Sequence, residues 1–344
     1  MYVPGNLDLS LVAALLRLKA LGEHDIDPPV SLLPYQDPKV VNSQTAMFHF
    51  THAFHEEYEN PYKQEINRQQ PIFNHALKSF EGTIRPIPYN AQLIRAARSE
   101  LAAILSLSTH ESTTRNDDLT PGQTPDAEML LTTHNPDPYI AIHIRRGDRH
   151  ASSFPYRGKY VPLENFVSAA KSTWSRLYDK DAVSPDSAHF PAPPIMYVAS
   201  DSHGAVREFV SAFPTSTAVF SLSESVDPAL RALAPPHEYA QHEFNEMEEQ
   251  VRISLTRGMI VDLAMLSGMW AWEGDVVPGA TICTLSSNVC RLSAVGLGWD
   301  RAFGLADGKD HSDGLINDEK KRWIELDNRG IISPMWSAFE VFGK

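Results

Sequence analysis

Tyr139-Ile140-Ala141-Ile142-His143-Ile144-Arg145-Arg146-Gly147-Asp148-Arg149 begins as an apolar, largely β-branched run and ends in a burst of charge. That is the pattern of a buried strand meeting its loop. In an open α/β sheet, ligands bind outside the carboxyl ends of the strands. Two arginines at such an end suit a phosphate or diphosphate, because a planar guanidinium donates two parallel hydrogen bonds to phosphate oxygens. Gly147 permits a close backbone approach there. A surface ion-pair cluster is the alternative reading, and the tripeptide Arg146-Gly147-Asp148 is too short to signal cell adhesion.

Outward from this strand, apolar runs alternate with amphipathic ones. Residues 163–178 have helical spacing, 195–199 form a strand ending at Ser200-Asp201-Ser202, and 204–212 form a helix. A short strand at 218–220 precedes an acidic, proline-containing loop over 224–249. A long apolar helix at 251–270, a strand at 281–285 and a helix at 288–297 complete the series. Strand–helix alternation of this kind predicts an α/β fold with a mostly parallel, doubly wound, Rossmann-type sheet. No Gly-x-Gly-x-x-Gly or Walker-type loop accompanies it.

Upstream, residues 91–107 repeat Leu93, Ala97, Leu101 and Ile104 at helical spacing, and 7–21 form an amphipathic helix. Residues 106–138 are polar and read as a linker or long surface loop. The expected division is a helical region over 1–134 and an α/β domain over 136–344. His49, His52 and His55 stand near helical spacing, but no acidic or cysteine partner completes a metal site, so a helix face is the plainer reading.

The 344 residues carry a net charge of −13, from 43 acidic and 30 basic residues. That balance argues against nucleic acid and anionic membranes as partners. A local basic site in an acidic chain points to a small anionic ligand. No stretch reads as a membrane span, and no secretory signal is visible. The chain's two cysteines, Cys283 and Cys290, are seven residues apart, which fits either a bridge over a tight turn or two free thiols.

Ser286-Ser287-Asn288 falls between a strand and a helix. It reads as a helix cap or, through free N–H groups and the helix dipole, as an anion site. Asp262 interrupts the apolar helix. It must be paired, with Arg252 or Arg257 for example, or face a ligand that offers two N–H donors, as guanine does. Asp201, at a strand end, suits a ribose hydroxyl or a neighbouring arginine.

Four of these blocks, in order over 139–297, resemble the donor-binding half of the α1,6-fucosyltransferases. His143-Ile144-Arg145-Arg146-Gly147-Asp148-Arg149 is similar to that family's His-x-Arg-Arg-x-Asp-Lys. Val198-Ala199-Ser200-Asp201 is similar to its Val-Ala-Thr-Asp, and Ile260-Val261-Asp262 with Leu266-Ser267 to its aspartate-bearing helix. Cys283-Thr284-Leu285-Ser286-Ser287-Asn288-Val289-Cys290-Arg291 resembles its Cys-x-Phe-Ser-Ser-Gln-Val-Cys-Arg. Gly147, Arg149 and Ser202 depart from the pattern, 272–279 look inserted, and the acid that the family uses as general base has no clear counterpart, Ser153 falling near its position.

The resemblance implies a GT-B-like fold with a helical acceptor-side region, incomplete here. It implies inverting transfer of fucose from GDP-fucose to a glycan or glycoprotein, with no metal or other cofactor. Arg145, Arg146 and Asp148 would be the catalytic residues, with Arg145 on the β-phosphate. His143 and Asp262 would read guanine, Asp201 would lie near the nucleotide sugar, and Ser286, Ser287 and Asn288 would bind diphosphate. Cys283 and Cys290 match a disulfide pair, which with the family implies the Golgi lumen. Another nucleotide sugar, or a nucleotide-binding module without catalysis, are the competing readings; acceptor and oligomeric state are not indicated.

Overall fold

The computed structural model describes residues 70–113, 139–148, 150, 156, 158–178, 194–284, 286–305 and 317–327. The helix expected at 7–21, the histidines at 49, 52 and 55, the remainder of the polar stretch at 114–138, and Arg149, Ser153 and Leu285 lie outside them.

Among the described residues five strands make one parallel sheet: β1 (Tyr139–Ile144), β2 (Ile195–Ser200), β3 (Ala218–Phe220), β4 (Pro278–Cys283) and β5 (Trp323–Glu325). Their spatial order is β3-β2-β1-β4-β5. β1 is therefore central, and every residue of Tyr139–Ile144 is buried. Side chains alternate across a strand, and both faces of β1 are apolar. Ile140, Ile142 and Ile144 point to one core, while Tyr139 and Ala141 point to the other.

Helices cover both faces. On the isoleucine side lie α3 (Leu163–Tyr178) and α4 (His203–Ser211). Leu163, Phe166, Ala170 and Trp174 form the buried stripe of α3, the spacing that one helix face requires. On the other side lie α2 (Pro88–Thr113) and α7 (Glu249–Ser267), with α5 (Pro228–Arg231) at its edge. α1 (Gln70–Gly82), α8 (Asn288–Leu297) and α9 (Trp299–Phe303) share a further cluster with β4 and β5, where Phe73 packs edge-on against Trp299 at 5.1 Å. The short α6 (Gln241–Glu246) precedes α7.

Several boundaries differ from the sequence reading. α2 runs to Thr113, so the polar stretch that was expected to begin a linker at 106 starts as helix. A helix seeded by the buried Leu93, Ile94, Ala97 and Leu101 propagates through Ser and Thr at small cost per residue. α7 stops at Ser267 because Gly268 turns left-handed, φ 74°, and sends its N–H back to Ala264 O. β4 starts at Pro278 and ends at Cys283, since proline is tolerated as a strand's first residue. The acidic loop contains α5 and α6, and α9 and β5 are additional elements.

α2 packs on α7, β3 and α5, and α1 packs on α8 and α9. Arg98 of α2 is 1% exposed and clasps the end of α7. Its guanidinium donates to Ala264 O, Met269 O and Trp270 O and pairs with Asp275 at 3.0 Å. Ala264 O lies in the last turn of α7, where it also accepts Gly268 N–H, and the other two carbonyls follow the helix end.

Candidate functional site

From β1 the chain crosses through α3 to β2 and through α4 to β3, then returns through α7 to β4 on the opposite side of β1. The crossovers leave in opposite directions on either side of β1, so a crevice opens between the carboxyl ends of β1 and β4. Ligands of doubly wound sheets bind at such a switch point. Arg145 follows the last residue of β1, and residues 284–287 link β4 to α8.

Arg145 Nη1 lies 2.5 Å from Asp201 Oδ2, and Nη2 lies 2.8 Å from Asp148 Oδ1. The other Asp201 oxygen accepts the Arg146 backbone N–H at 2.8 Å. Burial pushes the Asp201 carboxyl above its usual range, against the pull of Arg145 and of backbone N–H groups from Arg146 and Tyr239. Of the two partners expected for Asp201, the neighbouring arginine is the one the fold supplies. The Tyr239 ring covers the Arg145 guanidinium, 4.7 Å from its centroid.

Arg146 is buried and points elsewhere. It donates to Val161 O at 3.2 Å and lies over the Tyr160 ring, whose hydroxyl donates to Gly147 O. This side chain holds the loop. Gly147 has φ 65°, and the close approach expected there comes from the chain itself: a Cβ on Gly147 would stand 2.0 Å from Tyr239 O. Asp148 N–H donates to the same Tyr239 oxygen, and Gln241 N–H donates to Asp148 Oδ2 at 2.7 Å. Residues 239–241 thus form a strap across the arginine turn.

Across the switch point, the α8 N-terminus is already partly served. Ser286 N–H donates to Asp327 Oδ2 at 3.1 Å, and Asp327 is 3% exposed. Ser287 occupies the N-cap position, but its hydroxyl makes no capping bond, contrary to the expected side-chain cap. Asn288 opens the helix. A carboxylate at this end satisfies N–H groups and meets the positive pole of the helix dipole, in the place where the sequence reading expects an anionic ligand. A disulfide joins Cys283 to Cys290, with Cα atoms 5.5 Å apart, and ties the end of β4 to the first turn of α8.

Asp262, on α7, pairs with neither Arg252 nor Arg257, as the structural alternative had it. Its Oδ1 accepts the Tyr197 hydroxyl at 2.5 Å, and Arg257 lies instead over the Tyr89 ring. Burial pushes the Asp262 carboxyl up to about 7, while the Tyr197 hydrogen bond pulls the other way. His143, the penultimate residue of β1, is 8% exposed, and its Nδ1 has no hydrogen-bond partner. Burial, and then the charge of Arg145, lower its pKa to about 3, so this imidazole is neutral over the whole physiological range.

The arginine turn, Asp201 and the β4–α8 link thus share one sheet edge, while Asp262 lines a cleft beside β2 with Ser200 and His203. Tyr239, Gln241, Asp327, Tyr197 and His203 were not singled out in the sequence. Tyr239 and Gln241 fall in the acidic loop, and nothing in their neighbours marks them as partners of residues some ninety positions away. Among the described residues no group of three or more His, Cys, Asp or Glu is arranged to hold a metal ion. No helix among them is long and apolar enough to cross a membrane. Compared with models of known protein families and with curated proteins, the chain matches none.

Proposed function

We propose that this protein is a glycosyltransferase that takes fucose from GDP-fucose to a glycan or glycoprotein acceptor, with inversion and without a metal, in a GT-B-like arrangement. The observation that supports it most is Arg145 standing at the carboxyl end of the central strand, at the switch point, beside an acid at the end of β2. Doubly wound sheets bind diphosphates at the first of these positions and ribose at the second. In transfer the bond between fucose and diphosphate breaks, and charge builds on the departing β-phosphate. Arg145 would stabilise that charge, the contribution that usually dominates. Asp262 would accept N–H donors of guanine, with neutral His143 nearby on β1, and residues 286–288 would approach the diphosphate once Asp327 yields.

A second reading is favoured by one observation. Asp148 and Asp201 are both bonded to Arg145, so neither is free as a general base. That suits a nucleotide-binding module without transfer. Binding of GDP, UDP and ADP by calorimetry, followed by hydrolysis or transfer from GDP-fucose with and without glycan acceptors, separates the two. GDP preference with turnover supports the transferase. GDP preference without turnover on any acceptor supports the binding module. No preference for GDP removes both.

A further inference from the structure

Little of Arg145 faces solvent, although it stands at the sheet edge where an anion would arrive: its side chain is 15% exposed. Nη1 pairs with Asp201, Nη2 pairs with Asp148, and the Tyr239 ring covers the guanidinium. Arginine grips a phosphate through those same parallel N–H donors, so an incoming anion has to displace one partner. The two carboxylates are not equivalent. Asp201 is nearly buried, and its second oxygen accepts Arg146 N–H, which fixes it at the end of β2. Asp148 is 30% exposed and sits three residues from Arg145 on a turn. An exposed ion pair of this kind contributes little, so Asp148 is the partner that yields.

Asp148 also holds the strap. Its other oxygen accepts Gln241 N–H at 2.7 Å, and its own N–H donates to Tyr239 O at 3.0 Å. The Tyr239 hydroxyl donates to Gln241 Oε1 at 2.8 Å, and the Tyr239 ring lies 5.4 Å from that of Phe244, so the strap is continuous with α6. That helix has six residues and none of them is buried. A segment with so few buried contacts opens locally at low cost. One carboxylate thus joins the arginine to the covering segment, and it cannot leave Arg145 without disturbing both.

We propose that residues 239–241 are an autoinhibitory strap, latched across Arg145 by Asp148, and that a diphosphate group opens it by taking the Nη2 donors from Asp148. This rests on the nucleotide reading above and adds an entry step to it. The anion competes for the guanidinium with more charge than one carboxylate carries, and it repels Asp148 once bound. As Asp148 swings away, Gln241 N–H loses its acceptor and the Tyr239 ring loses the cation that held it. Apparent affinity for a diphosphate is then reduced by the fraction of molecules in which the strap is open.

The test follows amide exchange and calorimetric binding in the full chain, with GDP and with inorganic pyrophosphate as probes. In wild type, saturating probe should speed exchange at Asp148 and Gln241 severalfold. Gln241→Pro removes the strap N–H at the first position of α6, where proline is tolerated. It should bind both probes about tenfold more tightly, the size of one hydrogen bond to a charged group, and exchange at Asp148 should be fast without probe. Tyr239→Leu removes the ring but keeps the backbone bonds, so it should also bind more tightly and guards against a folding defect in the proline variant. Exchange that slows or stays constant when probe binds, or wild-type affinity in both variants, overturns the strap alone. Failure of wild type and both variants to bind either probe overturns the nucleotide reading and this proposal with it.

Discussion

Arg145 and Asp201 bridge the carboxyl ends of two neighbouring strands, β1 and β2, with their side chains only 15% and 10% exposed. The pair does two things. It holds the guanidinium on the β2 side of β1, and it works against the burial that raises the Asp201 pKa.

The first prediction follows from that pairing. Arg145→Ala should cut turnover of the nucleotide sugar by about a hundredfold or more, as loss of an oxyanion donor does. It should also lower stability, because Asp201 loses its cation. In an Asp201→Asn background the stability loss should shrink, giving a coupling of about 0.5–3 kcal/mol in a double-mutant cycle by chemical denaturation. Strictly additive losses would mean that the pair contributes nothing. Arg145→Lys keeps charge but not the fork, so it should restore stability better than binding.

Gly147→Ala should be costly for two reasons. A left-handed backbone costs an L-residue about 1–2 kcal/mol, and Tyr239 O leaves no room for the new methyl group. The strap must lift. Amide exchange at Asp148 and Gln241, whose N–H groups are bonded in the strap, should accelerate in the variant. Exchange at wild-type rates would show that the strap does not depend on Gly147.

Asp262 makes stability depend on pH with a definite sign. An unfolded aspartate titrates near ~4, whereas this one is held up to about 7. Between those values the folded state binds more protons. The contribution of Asp262 is therefore fully present below about 4 and is lost as pH rises toward 7. His143 acts oppositely. Its pKa falls to about 3 in the fold from ~6.5 in the unfolded chain, so its contribution is complete above ~6.5 and is lost as pH falls. The clean measurement is the difference in melting temperature between wild type and Asp262→Asn over pH 4–7, which should change steadily across that window. GDP affinity should rise as wild-type Asp262 ionises near pH 7 and stay flat in Asp262→Asn.

The Cys283–Cys290 bridge closes a short loop and should contribute about 2–3 kcal/mol through the unfolded chain. Peptide mapping without reductant, on protein made in an oxidising compartment, should recover the linked pair. Reductant should lower the melting temperature, and Cys283→Ala/Cys290→Ala should match the reduced protein. Two freely alkylated thiols would contradict the bridge.

Arg98→Lys should destabilise the protein by about 3 kcal/mol or more, despite the retained charge. One ammonium cannot serve three carbonyls and Asp275 from a single point. Loss comparable to an exposed substitution, within about 0.5 kcal/mol, would show that the α7 terminus is satisfied some other way.

The sequence by itself determined the elements whose residues interact locally or share one repeating face. The strands at 139 and 195, the helix over 163–178 and the helix from 288 to 297 all follow from apolar periodicity, as does an α/β sheet. It also placed Arg145 and Asp201 at strand ends, because charge that follows a buried run has to lie at an edge. Tertiary structure decided what those residues meet. Strand order put β4 rather than β3 beside β1, which makes the end of β1 a switch point. Partners such as Tyr239 for the arginine turn, Tyr197 for Asp262 and Asp327 for the start of α8 are 41 to 93 residues away or set by strand pairing. A hydrogen bond depends on distance in space, and only the packing of helices on both faces of the sheet brings such distant positions within reach. β5 and α6, three and six residues long, were missed because neither shows an apolar period of its own.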